Sequence, residues 1–162
     1  MINKYFIGID VGGTKIAAAL VTGTGKIISR SKHPTPLNAH GKDILKVIIR
    51  TVHDVHYDHS SKKISGIGVG IPGIADPKTH EILVTPNIKL AGFPLKASLV
   101  KQFKTKIIID NDVNCGLLGE QWLGAAQKAR NVIGLFPGTG IGGFVAAVAF
   151  LLSRWLGRRL DG

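Results

Sequence analysis

At 162 residues the chain can bury one core and is expected to form one domain, and its 44% hydrophobic and 19% charged residues place it among soluble globular proteins. A net charge of +11 would suit a nucleic-acid partner, but the basic residues are scattered, apart from Lys101-Lys104-Lys106 and Arg154-Arg158-Arg159, and lack interleaved aromatics; they read as solvated surface that steers anionic substrates, with no nucleic acid expected. The single cysteine, Cys115, excludes an intramolecular disulfide and fits a reducing compartment, and the longest apolar run, Ile141 to Leu152, falls short of the roughly 20 residues a membrane helix needs, so a cytoplasmic location with no membrane partner is expected.

Tyr5 to Ile9 are apolar or Gly and too few for a helix, so they read as a buried strand. Val11-Gly12-Gly13-Thr14 is turn chemistry and Ile16 to Val21 a second strand, which predicts a hairpin around the paired glycines. Adjacent glycines lack the Cβ atoms that would keep an anion from the main chain, and they allow φ > 0, so successive N–H groups can converge on a phosphate. Asp10 ends the first strand, where a carboxylate could hold Mg²⁺ near that phosphate, directly or through water. The same residues would also make a plain tight hairpin whose Asp and Thr satisfy their own turn.

A third strand is predicted over Lys26 to Ser31, then a connector at His33-Pro34-Thr35-Pro36. An amphipathic helix follows from Asp43 to about Val55, with Ile44, Val47, Ile48, Thr51 and Val55 at helical spacing. His53, His56 and His59 near its end fan out around the axis, so no metal site is expected there. Ile64 to Ile71 is a strand alternated with Gly that ends in Gly68-Val-Gly-Ile-Pro-Gly73. That string fits G-x-G-x-x-G formally, as does Gly138-Thr-Gly-Ile-Gly-Gly143, but neither has the strand-to-helix context of a dinucleotide fingerprint, and a Walker-A loop is absent. The glycines after the strand suggest a loop whose backbone approaches a ligand, or equally a Pro-Gly turn. A short strand at Ile82-Leu83-Val84, a loop Thr85-Pro86-Asn87 and a helix from about Pro94 to Phe103 come next.

Ile107-Ile108-Ile109 is a buried strand that delivers Asp110-Asn111-Asp112-Val113-Asn114 at its carboxyl end, ahead of a helix from about Val113 to Leu123. Open α/β sheets bind ligands beyond such strand ends. A carboxylate beside an amide that can bind hydroxyls is what a general base for a sugar alcohol requires. Helix capping also favours Asp and Asn, but three polar residues exceed what a cap needs. Asn131 to Phe136 reads as a further strand running into the glycine-rich Pro137 to Gly143, which with the Gly12-Gly13 hairpin could grip a polyphosphate from two sides.

Taken in order, Asp10-Val-Gly-Gly-Thr-Lys15, Gly68-Val-Gly-Ile-Pro-Gly73, Thr85-Pro-Asn87, Asn111-Asp-Val-Asn114 and Gly138-Thr-Gly-Ile-Gly-Gly143 resemble the N-terminal half of the ROK family of sugar kinases and sugar-responsive repressors, over roughly residues 4 to 143. The resemblance implies an α/β, actin-like (ribonuclease-H-like) fold: a mixed five-stranded sheet with helices on both faces, closing over ATP and a hexose. It implies Asp112 as the base that takes the sugar hydroxyl proton, and Asn111, Gly73 and Asn87 as sugar-binding residues. Gly12, Gly13, Thr14, Lys15, Gly138, Thr139 and Gly140 would form the phosphate turns, with Asp10 near Mg²⁺. Full-length relatives are expected to be homo-oligomers.

The chain also departs from that pattern. Family members run to about twice this length, with a Glu-x-Gly-His sugar motif and a Cys-rich zinc motif in the second half. Here no Glu-x-Gly-His occurs, and one cysteine cannot make the zinc site. The composition shifts at Phe144, so residues 1–143 are expected to form the kinase-like domain and 144–162 a divergent apolar and basic tail, truncated or frame-shifted and prone to association. A glucokinase-like kinase, weakly active or inactive as this chain, is expected. The alternatives are a non-catalytic sugar- or partner-binding fragment or a remnant of a repressor; the repressor is disfavoured because the first hairpin begins within five residues of the start, where a winged-helix segment would stand.

Overall fold

The computed structural model describes residues 4–129, 132–137 and 144–147. They fall into two compact units that divide between Asp112 and Val113.

The first unit is built on a five-stranded sheet. β1 (Tyr5–Val11), β2 (Lys15–Thr22) and β3 (Ile27–Pro34) form an antiparallel meander, and β4 (Ile64–Ile71) and β7 (Ile107–Asn111) add in parallel beside β1, in the order β3-β2-β1-β4-β7. Tight turns suffice for the antiparallel pairs, whereas each parallel step needs a crossover. α1 (Gly41–His56) supplies the first; a small hairpin, β5 (Ile74–Ala75) with β6 (Ile82–Val84), and α2 (Leu95–Phe103) supply the second.

Strand alternation sends Ile7, Ile9 and Val11 of β1 and Ile16, Ala18 and Leu20 of β2 into the core, where Ile44, Ile48, Val52 and Val55 of α1 meet them. Thr51, the buried polar residue of α1, returns its hydroxyl to the Val47 carbonyl at 2.7 Å. A Cβ on Gly41 would lie 2.2 Å from Cγ of Phe93, so the first residue of α1 must be glycine for the segment before α2 to pack there. α2 buries Leu95 and Leu99 and stops at Lys104, whose left-handed backbone (φ 50°) returns its N–H to the Val100 carbonyl.

Two sequence expectations shift. His33-Pro34 is not a connector: β3 runs on to Pro34, which pairs with Lys15. β3 is an outer strand, so a proline without an N–H costs no ladder hydrogen bond on the open side. β5 went unforeseen, being only two residues long.

The turn between β5 and β6 is closed by Asp76, whose Oδ1 accepts the backbone N–H groups of Thr79 (2.7 Å) and Lys78 (2.8 Å). These two bonds, Thr79's first, hold its carboxyl below the usual carboxylate range. An acid depressed by folding contributes stability that is complete above the ordinary value of about 4 and is lost as pH falls through the depressed one. Acidification through that window should therefore lower the protection of the Lys78 and Thr79 amides, relative to intrinsic exchange at each pH, before the sheet responds, and Asp76→Asn should abolish that dependence of protection on pH; NMR protection factors check it.

In the second unit, which takes all of α3 (Asp112–Leu123) but its first residue, the helix is followed by a loop fastened by Gln121 Nε2 to the Ala129 carbonyl (3.0 Å), and β8 (Gly134–Pro137) pairs antiparallel with β9 (Phe144–Ala147). The predicted strand thus appears at Gly134–Pro137, and β9 was not foreseen. Gly138, Thr139 and Gly140 and the tail beyond Ala147 lie outside the described residues. No helix among the described residues is long and apolar enough to cross a membrane.

Candidate active site

The parallel strands β1, β4 and β7 point their carboxyl ends to one edge of the sheet, with Asp10, Gly70 and Asp110 in register across it. Beyond that line stand the expected site residues of the first unit. Alternation from Ile9 and Val11, both buried against the helices, turns Asp10 to the opposite face. Asp112 follows β7 directly and opens α3.

The Asp10 residue meets solvent, yet its carboxyl is pushed above the ordinary value, first by its own partial desolvation and second by the negative charge of Asp112, with Lys15 pulling the other way. A carboxylate whose charge is disfavoured by a neighbouring carboxylate suits a divalent cation. Among the described residues no three His, Cys, Asp or Glu side chains group to hold a metal. Mg²⁺ is commonly held by one or two carboxylates with waters and substrate phosphates, and the Asp10–Asp112 pair fits that mode rather than an all-protein cage.

The glycine turn differs from expectation in one respect. Neither Gly12 nor Gly13 has positive φ; among the described residues the positive-φ glycines are Gly25, Gly73 and Gly92. The alternating left- and right-handed backbone that makes an anion nest is therefore not what these glycines provide here. Gly12 donates its N–H to the Lys15 carbonyl at 2.9 Å, and a Cβ on it would press that oxygen at 3.0 Å. The donors this turn can offer a phosphate are thus at most Gly13, Thr14 and Lys15. What remains of the glycine argument is close approach.

Thr35 straps the turn from outside, donating its hydroxyl to the Gly12 carbonyl at 2.7 Å and its N–H to the Thr14 carbonyl at 3.0 Å. Nothing in the sequence singled it out, because its partners lie more than twenty positions away. Asn87 lies next to the turn: a Cβ on Gly13 would sit 3.8 Å from the Asn87 carbonyl. Asn87 itself is exposed and lines an open groove of about 530 Å³ with His40, Thr85 and Lys89.

Gly73 and Asn111 are joined outright, Asn111 Nδ2 donating to the Gly73 carbonyl at 2.8 Å. Gly73 adopts φ 156°, and a Cβ there would lie 2.0 Å from the Val84 carbonyl, so β5 and β6 close only around glycine. Contacts therefore run from Asn111 through Gly73 to Val84, while Asn87 lies beside the glycine turn. The first unit brings all its expected residues to one edge; Gly138, Thr139 and Gly140 lie outside the described residues. The helix-end histidines serve elsewhere, His56 Nε2 lying 2.8 Å from the Lys62 carbonyl.

Comparison with known proteins bears on the family and the fold. The ROK family profile matches residues 6–151. The glucokinase of Halalkalibacterium halodurans is 36% identical over 149 residues, 91% of this chain and 45% of that protein. The xylose repressor of Caldicellulosiruptor bescii is 30% identical over 84% of this chain and 35% of its own length. A ROK family glucokinase from Streptomyces griseus, solved with glucose and AMPPNP, superposes with TM-score 0.77 at 31% identity, covering 90% of this chain and 49% of that one. The actin-like fold with its mixed five-stranded sheet is thus the one expected from the sequence. The chain spans about half the length of the curated relatives it matches.

Proposed function

Because the chain belongs to the ROK family, we propose that it is the N-terminal, substrate-gathering part of an ATP-dependent hexose kinase of the glucokinase type. The observation that carries this reading is the convergence of the Asp10–Asp112 pair, the Asn111 amide and the glycine turn on the carboxyl edge of three parallel strands. Asp112 would accept the proton of the sugar hydroxyl as it attacks the γ-phosphoryl group; Asn111, Gly73 and Asn87 would hold the other hydroxyls. Gly13, Thr14 and Lys15, with Gly12 shaping the turn and Gly138, Thr139 and Gly140 by resemblance, would receive the phosphates. Asp10 would hold Mg²⁺, which when bound neutralises charge on the phosphates. The substrates, ATP and a hexose, suit a cytoplasmic protein without a nucleic-acid or membrane partner, and homo-oligomers are the form proposed for the full-length protein. Residues 1–143 are proposed as the kinase-like part and 144–162 as a divergent tail.

A second reading, a sugar-binding fragment without turnover, is favoured by the coverage of only about half of each relative. Phosphoryl transfer depends on alignment and charge stabilisation in a closed site, and half a cleft supplies groups without closure. The 162-residue chain should bind glucose or ATP weakly by calorimetry. Its ADP release with glucose, mannose and N-acetylated hexosamines should fall well below the usual kinase range of about 1 to 100 s⁻¹. Turnover inside that range would overturn the fragment reading; absence of any sugar or nucleotide binding, here and after fusion to a relative's second half, would overturn the kinase reading.

A further inference from the structure

β7 is an outer strand of the five-stranded sheet. The Ile67 N–H donates to the Lys106 carbonyl, so alternation along β7 turns the Ile109 carbonyl away from β4, toward the open edge. An open edge carbonyl needs a partner. Here His80 Nδ1 lies 2.9 Å from it. A carbonyl only accepts, so Nδ1 carries the proton. His80 stands in the left-handed region, φ 59°, a conformation glycine or asparagine takes more readily than histidine. The side chain is therefore held at a backbone cost, and the Ile109 carbonyl is what it reaches.

The turn that carries His80 is stiff. Its N–H donates to the Asp76 carbonyl at 2.8 Å, and Lys96 Nζ donates to the Thr79 carbonyl at 2.8 Å. At the other end of the hairpin, Gly73 is wedged against Val84 and accepts the Asn111 amide. The hairpin is thus fastened to β7 at two points two residues apart: its turn at Ile109, its base at Asn111. We propose that His80 is a positioning residue that, by fastening the β5–β6 hairpin to the Ile109 carbonyl, holds the Gly73 carbonyl where it orients the Asn111 amide for a sugar hydroxyl. The tether rests on the contacts above; only the sugar rests on the kinase reading.

The test uses the 162-residue chain, ¹⁵N-labelled, as wild type, His80→Gly and His80→Asn. His80→Gly relieves the backbone and removes the tether, so it should melt at or above the wild-type temperature while the Asn111 side-chain amide exchanges about 3- to 10-fold faster, the scale of one net hydrogen bond. His80→Asn keeps tolerance of the left-handed backbone and a donor, and should recover part of the protection. Glucose affinity should fall by a similar factor in His80→Gly. Unchanged Asn111 exchange in a folded His80→Gly chain overturns the tether, as does a marked loss of thermal stability, which would make His80 a structural residue. Faster Asn111 exchange together with no glucose binding by the wild type upholds the tether and removes the sugar from it.

Discussion

Asp112→Asn, introduced into a form of the chain fused to a relative's second half, should lower turnover about 10²- to 10⁴-fold, the usual cost of losing a positioned base, with sugar affinity nearly unchanged. The substitution is informative because so little else changes. Asn has the shape of Asp, so the substitution at the first residue of α3 removes the charge with the least change of volume. What is lost is the capacity to take a proton, which the proposed reaction would need as the sugar oxygen meets the γ-phosphoryl group. A fall in kcat with KM preserved marks an interaction made in the transition state alone. Unchanged kcat would remove Asp112 from the mechanism, and a joint loss of affinity would reassign it to sugar binding.

The expected residues lay within reach of sequence reasoning because each site segment ends an apolar strand: Asp10 after Ile9, Gly73 after Ile71, Asn111 and Asp112 after Ile109. Strand ends are visible in a linear pattern, since burial stops where polar residues begin. Cross-connections are not. The bonds from Asn111 to Gly73, Thr35 to Gly12 and His80 to Ile109 join positions brought together only by the parallel pairing of β4 and β7, the antiparallel β1-β2-β3 meander and the folding-back of the β5–β6 hairpin. The backbone of Gly12 and Gly13 was illegible for a different reason: glycine permits either sign of φ, so its presence announces freedom without saying how it is spent. At Gly73 the spacing to Val84 settles the matter, and that spacing belongs to the tertiary structure.

Asp10→Asn should give the opposite signs in two assays: a more stable protein and a poorer enzyme. Burial and the charge of Asp112 raise the Asp10 carboxyl, with Lys15 only partly offsetting them. For an acid raised by folding, the penalty is absent below the ordinary value of about 4, grows as pH rises from there through the raised value, and is complete above it. The amide carries no such penalty. The melting temperature of Asp10→Asn should therefore exceed the wild type at pH 7, and the difference should close as pH falls toward about 4. Mg²⁺ with ATP should stabilise the wild type and do less for the variant, since the repulsion between Asp10 and Asp112 is what a divalent cation relieves. In the fused, full-length form, loss of the carboxylate proposed to hold the metal should cost about 10²-fold or more in turnover, because metal stabilisation of transferring phosphoryl charge amounts to several kcal/mol. A variant less stable than the wild type at pH 7 would make Asp10 a structural acid. A variant of equal turnover would leave the phosphates to the backbone of the glycine turn and to Lys15, so the two measurements together decide whether the raised carboxyl at the end of β1 serves the proposed catalysis.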